Sequence, residues 1–239
     1  MKSKRLLMPK IGTRKLYYLL EEELKSLKVG RDKLFKILKT NQLLIKPKKK
    51  YHITTNSHHR FRKHKNQIKN IAFTRPEKVW VSDITYIGNR KNPSYLALIT
   101  DAYSKKISGY NVSDSLNVKG SLAALEMALK NRIYRNEPII HHSDRGLQYC
   151  SNEYQQVLEN NKIQPSMTEE YNPYENGIAE RVNGILKQEF DIDKFDANLK
   201  IKTKLVQNAI KIYNAFRPHL SNSMLTPKQM HQQNTIKRK

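Results

Sequence analysis

The sequence predicts an α/β protein with a small all-helical segment at its N-terminus. Three observations predict it. The first stretch is basic, with leucines at helical spacing; three strand-like segments follow one another between Val79 and Val112; beyond them short strands alternate with helices.

The 239 residues suffice for one domain with a sizeable core and a smaller appended one. Lys and Arg number 45 against 21 Asp and Glu, a formal net charge of +24. That excess is uneven: residues 1–70 hold 21 basic and 4 acidic side chains. A basic head on a nearly balanced body suggests a polyanion partner, with nucleic acid the leading candidate, because neutralising phosphates releases counterions. No apolar run approaches the roughly 20 residues that a spanning helix needs. The single cysteine, Cys150, excludes an intramolecular disulfide and a cysteine-based zinc cluster. The lone cysteine fits a reducing cytoplasm, and a cytoplasmic protein is the expectation.

In the head, Leu16, Leu19, Leu20 and Leu24 form one helical stripe, and Leu34, Phe35, Ile37 and Leu38 a second. Leu27-Lys28-Val29-Gly30 between them is short enough for the turn of a helix-turn-helix. The second helix would present Arg31, Lys33, Lys36 and Lys39 outward, as a groove-entering helix requires. An ordinary helical hairpin with solvated lysines has the same pattern. Residues 1–45 are therefore read as a helix-turn-helix-like DNA-binding segment. Residues 46–70, dense in Lys, Arg and His, read as a basic linker. His52, His58, His59 and His64 lack partners at zinc-ligand spacing, so phosphate contact is their expected use.

A catalytic core is expected over residues 71–220. VWVSDITYI, Val79 to Ile87, alternates apolar and polar residues as a strand does, and Tyr95–Asp101 and Lys106–Val112 continue an antiparallel meander. A helix over Asn117–Tyr134, a buried strand ending at Ser143-Asp144, a helix over Ser151–Asn160 and a strand over Ile163–Met167 follow. After the turn-rich loop Thr168–Tyr174 come helices over Glu175–Phe190 and Leu199–Phe216, and residues 221–239 read as a basic tail. The order βββαβαβα, opened by a meander, is that of the ribonuclease-H-like fold.

Three acids stand out. Asp83 lies midway along the first strand, where an unpaired buried acid is costly; Asp144 ends the fourth strand; Glu180 lies on the helix after the loop. Ile178, Val182, Ile185 and Leu186 form that helix's apolar stripe, which leaves Glu180 well off it with Lys187 almost in line seven residues on. Glu175 is the rival, but an acid in the first turn commonly complements the helix dipole. Carboxylates converging from separate elements can hold Mg²⁺, and two such ions can drive phosphoryl transfer.

These residues sit in motifs. VWVSDITYI, HHSDRGLQYCS and YNPYENGIAERVNGILKQEF, with 35 residues between Asp144 and Glu180, closely resemble the integrase-type cores of insertion-sequence transposases in the IS-three family. Tyr213-Asn214, Arg217-Pro218-His219-Leu220 and Thr226-Pro227 resemble the C-terminal signature of that family, whose fold retroviral integrases share. The motif Asp-Asn-Ala of the family reads Glu175-Asn176-Gly177 here, and its Ser-Phe reads Arg181-Val182.

The resemblance implies a DDE transposase that cuts DNA at element ends and joins the exposed 3′-hydroxyl to a target. Asp83 would bridge two Mg²⁺ ions, for which Mn²⁺ can substitute, while Asp144 and Glu180 would each anchor one. Lys187, Arg145, Tyr171 and Asn172 would contact DNA. Terminal inverted repeats and target DNA are the implied partners, bound by a homo-multimer. A first-frame partner is also implied, since such chains are often joined to an upstream frame. The alternative is a DNA-binding remnant or regulator that does not cut. A ribonuclease H or junction resolvase of the same fold is disfavoured by the basic head and the C-terminal signature.

Overall fold

The computed structural model describes residues 1–45, 64–88, 92–169 and 176–236. The head is four short helices, α1 (Lys2–Leu7), α2 (Thr13–Leu19), α3 (Glu21–Ser26) and α4 (Arg31–Thr40). The leucine stripe of the first expected helix is thus split at Leu20, which has φ −117° and ψ 14°. Three acids in a row, Glu21 to Glu23, favour a fresh helix start there. Leu16, Leu20, Leu24, Leu34 and Leu38 are buried, whereas Ile37 stays 42% exposed. Arg31, Lys33, Lys36 and Lys39 all face solvent along α4.

The sheet has the order β3-β2-β1-β4-β5, from β1 (Val79–Gly88), β2 (Pro93–Asp101), β3 (Ile107–Ser113), β4 (Ile140–Ser143) and β5 (Gln164–Met167). The first three strands form the expected antiparallel meander, and β4 and β5 run parallel to β1. Alternation along the strands gives the sheet two apolar faces. Trp80, Ala97 and Ile99 pack against α5 (Val118–Lys130) and α7 (Asn152–Asn160), which follows the short α6 (Leu147–Cys150). Ile87, Leu96 and Leu98 pack against α8 (Gly177–Glu189) and α9 (Leu199–Phe216). Gly109 on β3 admits α5 closely, since a Cβ there would lie 2.0 Å from the Ala124 carbonyl oxygen.

The head shares this second face. Met8, Ile11, Leu16, Leu34 and Leu38 belong to one continuous cluster with Ile87, Leu186, Ile210 and Tyr213. So short a stretch can bury little by itself, and its leucines find their remaining cover on the core.

The expected basic tail is instead largely a helix. Leu220–Asn222 forms a 3₁₀ turn, and α10 (Pro227–Ile236) packs back on the fold. Its anchor is the fully buried His231, whose Nδ1 lies 2.9 Å from Ser104 Oγ and whose Nε2 lies 3.3 Å from Glu77 Oε1. Burial opposes a charge on His231, but Asp101 and Glu77 outweigh it and raise its pKa. One inward histidine among lysines and glutamines is easily read as tail composition.

The C-terminal motif proves to be scaffold. Tyr213 donates its hydroxyl to the Lys105 carbonyl at 2.9 Å, and Asn214 exchanges two hydrogen bonds with the Ile107 backbone. Asn222 donates to the Ser104 carbonyl at 2.7 Å. Together these tie the end of α9 to the β2–β3 turn.

Candidate active site

The parallel pairing of β1 with β4 sets Val81 opposite His142. Two residues on, Asp83 continues β1 on the face of Val79 and Val81, and Asp144 comes directly after the end of β4, near enough for its charge to act on Asp83. Val79 and Val81, on that face of β1, pack against Ala179 of α8. From α8, Asn183 donates its amide to Asp83 Oδ2 at 2.7 Å, and Asn176 donates to the Ser82 carbonyl at 3.0 Å. Glu180 lies between these two asparagines in sequence and is solvent-exposed. Asp144 Oδ1 accepts the Gly146 amide at 3.1 Å, a local turn that fixes the start of α6.

The electrostatics of this arrangement disfavour negative charge. Burial, foremost, and then the Asp144 and Glu180 carboxylates push the Asp83 pKa up to about 7, against the hydrogen bond from Asn183. Burial raises the Glu180 carboxyl as well. Lys187 is half-buried; desolvation lowers its pKa, while Asp193 and Asp83 act in the other direction. Asp83 is near enough to feel the charges of Asp144 and Glu180, and Lys187 near enough to feel that of Asp83. A divalent cation would relieve the acids' repulsion, and their donor set of hard carboxylate oxygens suits Mg²⁺ or Mn²⁺. Among the described residues, however, no three His, Cys, Asp or Glu side chains stand close enough together to hold a metal ion. The donors fit, and their closure around a cation is not made in this conformation.

The other expected site residues divide. Arg145, directly after Asp144, is half-buried, whereas Tyr171, Asn172 and the rival Glu175 fall outside the described residues, as do His52, His58 and His59. His64 pairs with Gln155 at 2.8 Å. Arg31, Lys33 and Lys36 sit on the head, which docks at the far end of α8. There the Lys10 amide donates to the Glu189 carbonyl at 3.1 Å, and Lys15 reaches the Glu189 carboxylate at 3.2 Å. Nine residues separate Glu180 from Glu189, roughly 14 Å along a helix.

Asn183 and Glu189 were not anticipated. A signal existed for Asn183: a polar residue lodged among Val182, Ile185 and Leu186, three places after Glu180, cannot be buried without a partner. Gly177 opens α8 at its first helical position, where it disturbs no interior turn.

Residues 74–173 match the family described as integrase core domain, and residues 161–227 match a second family of the same description. The insertion element IS600 uncharacterized 31 kDa protein of Shigella sonnei is 34% identical over 221 residues, covering 90% of this chain and 79% of that protein. Transposase InsF for insertion sequence IS3fB of Escherichia coli is 33% identical over 160 residues, covering 66% of this chain and 55% of that one. The HTLV-2 integrase catalytic core domain, solved in complex with magnesium in a trimeric form, shares the fold. Its TM-score is 0.53 at 20% identity, over 66% of this chain and 98% of that one.

Proposed function

The chain belongs to the IS3-family insertion-sequence transposases with an integrase core domain, and from that premise we propose that it cuts and joins DNA strands by metal-dependent phosphoryl transfer. The observation that carries the proposal is the acidic cluster on the α8 face of the sheet, with Asp83 held near neutrality by burial and by Asp144 and Glu180. Asp83, Asp144 and Glu180 would hold the divalent cations, Mg²⁺ with Mn²⁺ able to substitute, Asp83 being the ligand common to both ions and Asp144 and Glu180 each serving one. Such ions, when bound, activate the attacking water or 3′-hydroxyl and stabilise the leaving oxygen. Asn183 fixes the Asp83 carboxylate through its 2.7 Å hydrogen bond, which leaves the second carboxylate oxygen for ligation. The exposed bases of α4 hold duplex DNA, with Arg145, Tyr171 and Asn172 contacting it near the cluster. The substrates are the element's terminal inverted repeats and target DNA, bound by a homo-multimer and joined by a first-frame partner. The working units are the head over 1–45, the linker over 46–70, and a core that runs through α10.

The test is direct. Labelled DNA from the flanks of the gene, incubated with the full chain and Mg²⁺ or Mn²⁺, should be nicked, and Asp144→Asn should remove the nicking. Binding without metal-dependent nicking would instead support a DNA-binding regulator. The observation favouring that second reading is the departure from the family's motif at Glu175-Asn176-Gly177 and Arg181-Val182, beside Glu180.

Lys187 is assigned to a phosphate at the element end. Lys187→Ala should weaken binding to that DNA several-fold and lower the salt dependence by about one counterion, with the fold unchanged. Equal affinity of variant and parent across a salt series would refute the assignment.

A further inference from the structure

An open cleft of about 350 Å³ lies in the seam between the head and the C-terminal turn, lined by Arg14, Tyr17, Tyr18, Glu21, Arg31 and Met224. We propose that this cleft holds one unpaired nucleotide of the DNA on which the protein acts, its base against the tyrosine rings and its phosphate between the two arginines. The proposal rests on the DNA reading above and adds to it a distinct site, away from the acidic cluster, for a strand that has left the duplex.

The lining has the composition that single strands require. Successive bases stack on aromatic rings whatever their identity, while cations follow the backbone. Arg14, Tyr17, Tyr18 and Glu21 recur three and four residues apart, so they share one face of α2 and the start of α3. Tyr18 is 42% exposed, which leaves part of its ring open to a stacking partner. The Arg14 side chain, on α2, has no ion pair to an acid among the described residues. Among the described residues Arg31 pairs with its neighbour Asp32, at 2.9 Å and on the exposed surface, a contact of little worth that a phosphate readily replaces. The space suits a base and its sugar and is far too small for a duplex.

The opposite wall comes from the other end of the chain. Ser223 and Met224 both adopt left-handed backbone conformations, with φ 52° and 67°. The turn is pinned by the Met224 amide on the His219 carbonyl at 2.8 Å and by Asn222 on the Ser104 carbonyl. Two adjacent non-glycine residues held in this region are the kind of local strain found at ligand clamps. Its result is a flexible, polarizable thioether set opposite the tyrosines. Arg31 also opens α4, so a strand leaving a duplex bound along Lys33, Lys36 and Lys39 passes the mouth of the cleft. Glu21 adds a preference, because its carboxylate can accept from the exocyclic amine of cytosine, adenine or guanine, which thymine lacks.

The experiment is a fluorescence-anisotropy titration of the full chain with a short labelled oligocytidine strand and, separately, with a blunt duplex. Tyr18→Ala should weaken the single strand about tenfold and the duplex less than twofold, and Tyr18→Phe, which keeps the ring, should restore strand affinity. Lys36→Ala should show the reverse pattern, and oligothymidine should bind more weakly than oligocytidine. Equal losses on strand and duplex for Tyr18→Ala, or no loss on either, would overturn the proposal. Metal-dependent nicking is scored separately. A strand-specific Tyr18 effect without nicking would sink the cutting reading alone, and nicking without that effect would sink the cleft alone.

Discussion

Asp83→Asn is expected to abolish strand cleavage while making the metal-free protein more stable above neutral pH. The two effects have one cause. Asp83 titrates at about 7 in the fold against 3.8 for a free carboxyl. A folded pKa above the unfolded value means that the fold binds the proton more tightly than the unfolded chain does. Stability is therefore lost as pH rises from about 4 to about 7, and the loss is complete above that. At about 1.4 kcal/mol per pH unit, the penalty amounts to a few kcal/mol at most. The substituted amide carries no charge to desolvate and can still accept from Asn183 through its carbonyl oxygen. It is also a poor ligand for a divalent cation, and losing several kcal/mol of transition-state stabilisation corresponds to a rate about 10³-fold lower or worse. Thermal denaturation between pH 5 and pH 8, with and without Mn²⁺, checks this. The parent should lose stability with rising pH and regain it with Mn²⁺, whereas the variant should lose less, keeping only the share due to His231 and Glu180, and should gain little from Mn²⁺. A variant less stable than its parent at pH 8 would show that the buried carboxylate is not a liability in the empty site.

Such a liability is what sequence reasoning can detect. An aspartate midway along an apolar strand breaks the local pattern, and sites where the pattern breaks are commonly functional. Asp83 and Asp144 were legible because strand alternation and the β1–β4 pairing follow from the order of elements. Glu180 was legible because the apolar stripe of α8 left it outside. What stayed hidden depends on partners distant in sequence. Asn183 is a polar residue among the buried positions of an amphipathic helix, and its partner, Asp83, lies 100 residues away. His231 looked like part of a polar tail, because its carboxylate partners lie 154 and 130 residues earlier. The head's leucines were read as an independent module, since helical periodicity reports that a face is buried and not what buries it.

Glu189 is the residue through which these hidden contacts bear on the site, and Glu189→Ala should be among the most damaging substitutions outside the acidic cluster. Its carboxylate receives Arg217 in a two-pronged contact at 2.7 and 2.8 Å and Lys15 at 3.2 Å. Burial would raise its pKa, but the Arg217 and Lys15 contacts prevail and hold it below the usual carboxylate range. Alanine would leave the Arg217 guanidinium, 1% exposed, as an uncompensated buried charge, a defect that costs about 3–5 kcal/mol. It would also remove the side-chain tie between the head and the helix that carries Glu180, so nicking should fall and trypsin should reach Lys10 and Lys15 more readily. The cause can be separated from simple loss of packing by adding Arg217→Met. If the stranded charge is responsible, the double variant should be more stable in urea than the sum of the single losses allows, by at least 1 kcal/mol or so. Strict additivity would show that the three side chains act independently, and that the head's docking reaches the helix carrying Glu180 through the shared leucine core and the Lys10 backbone contact.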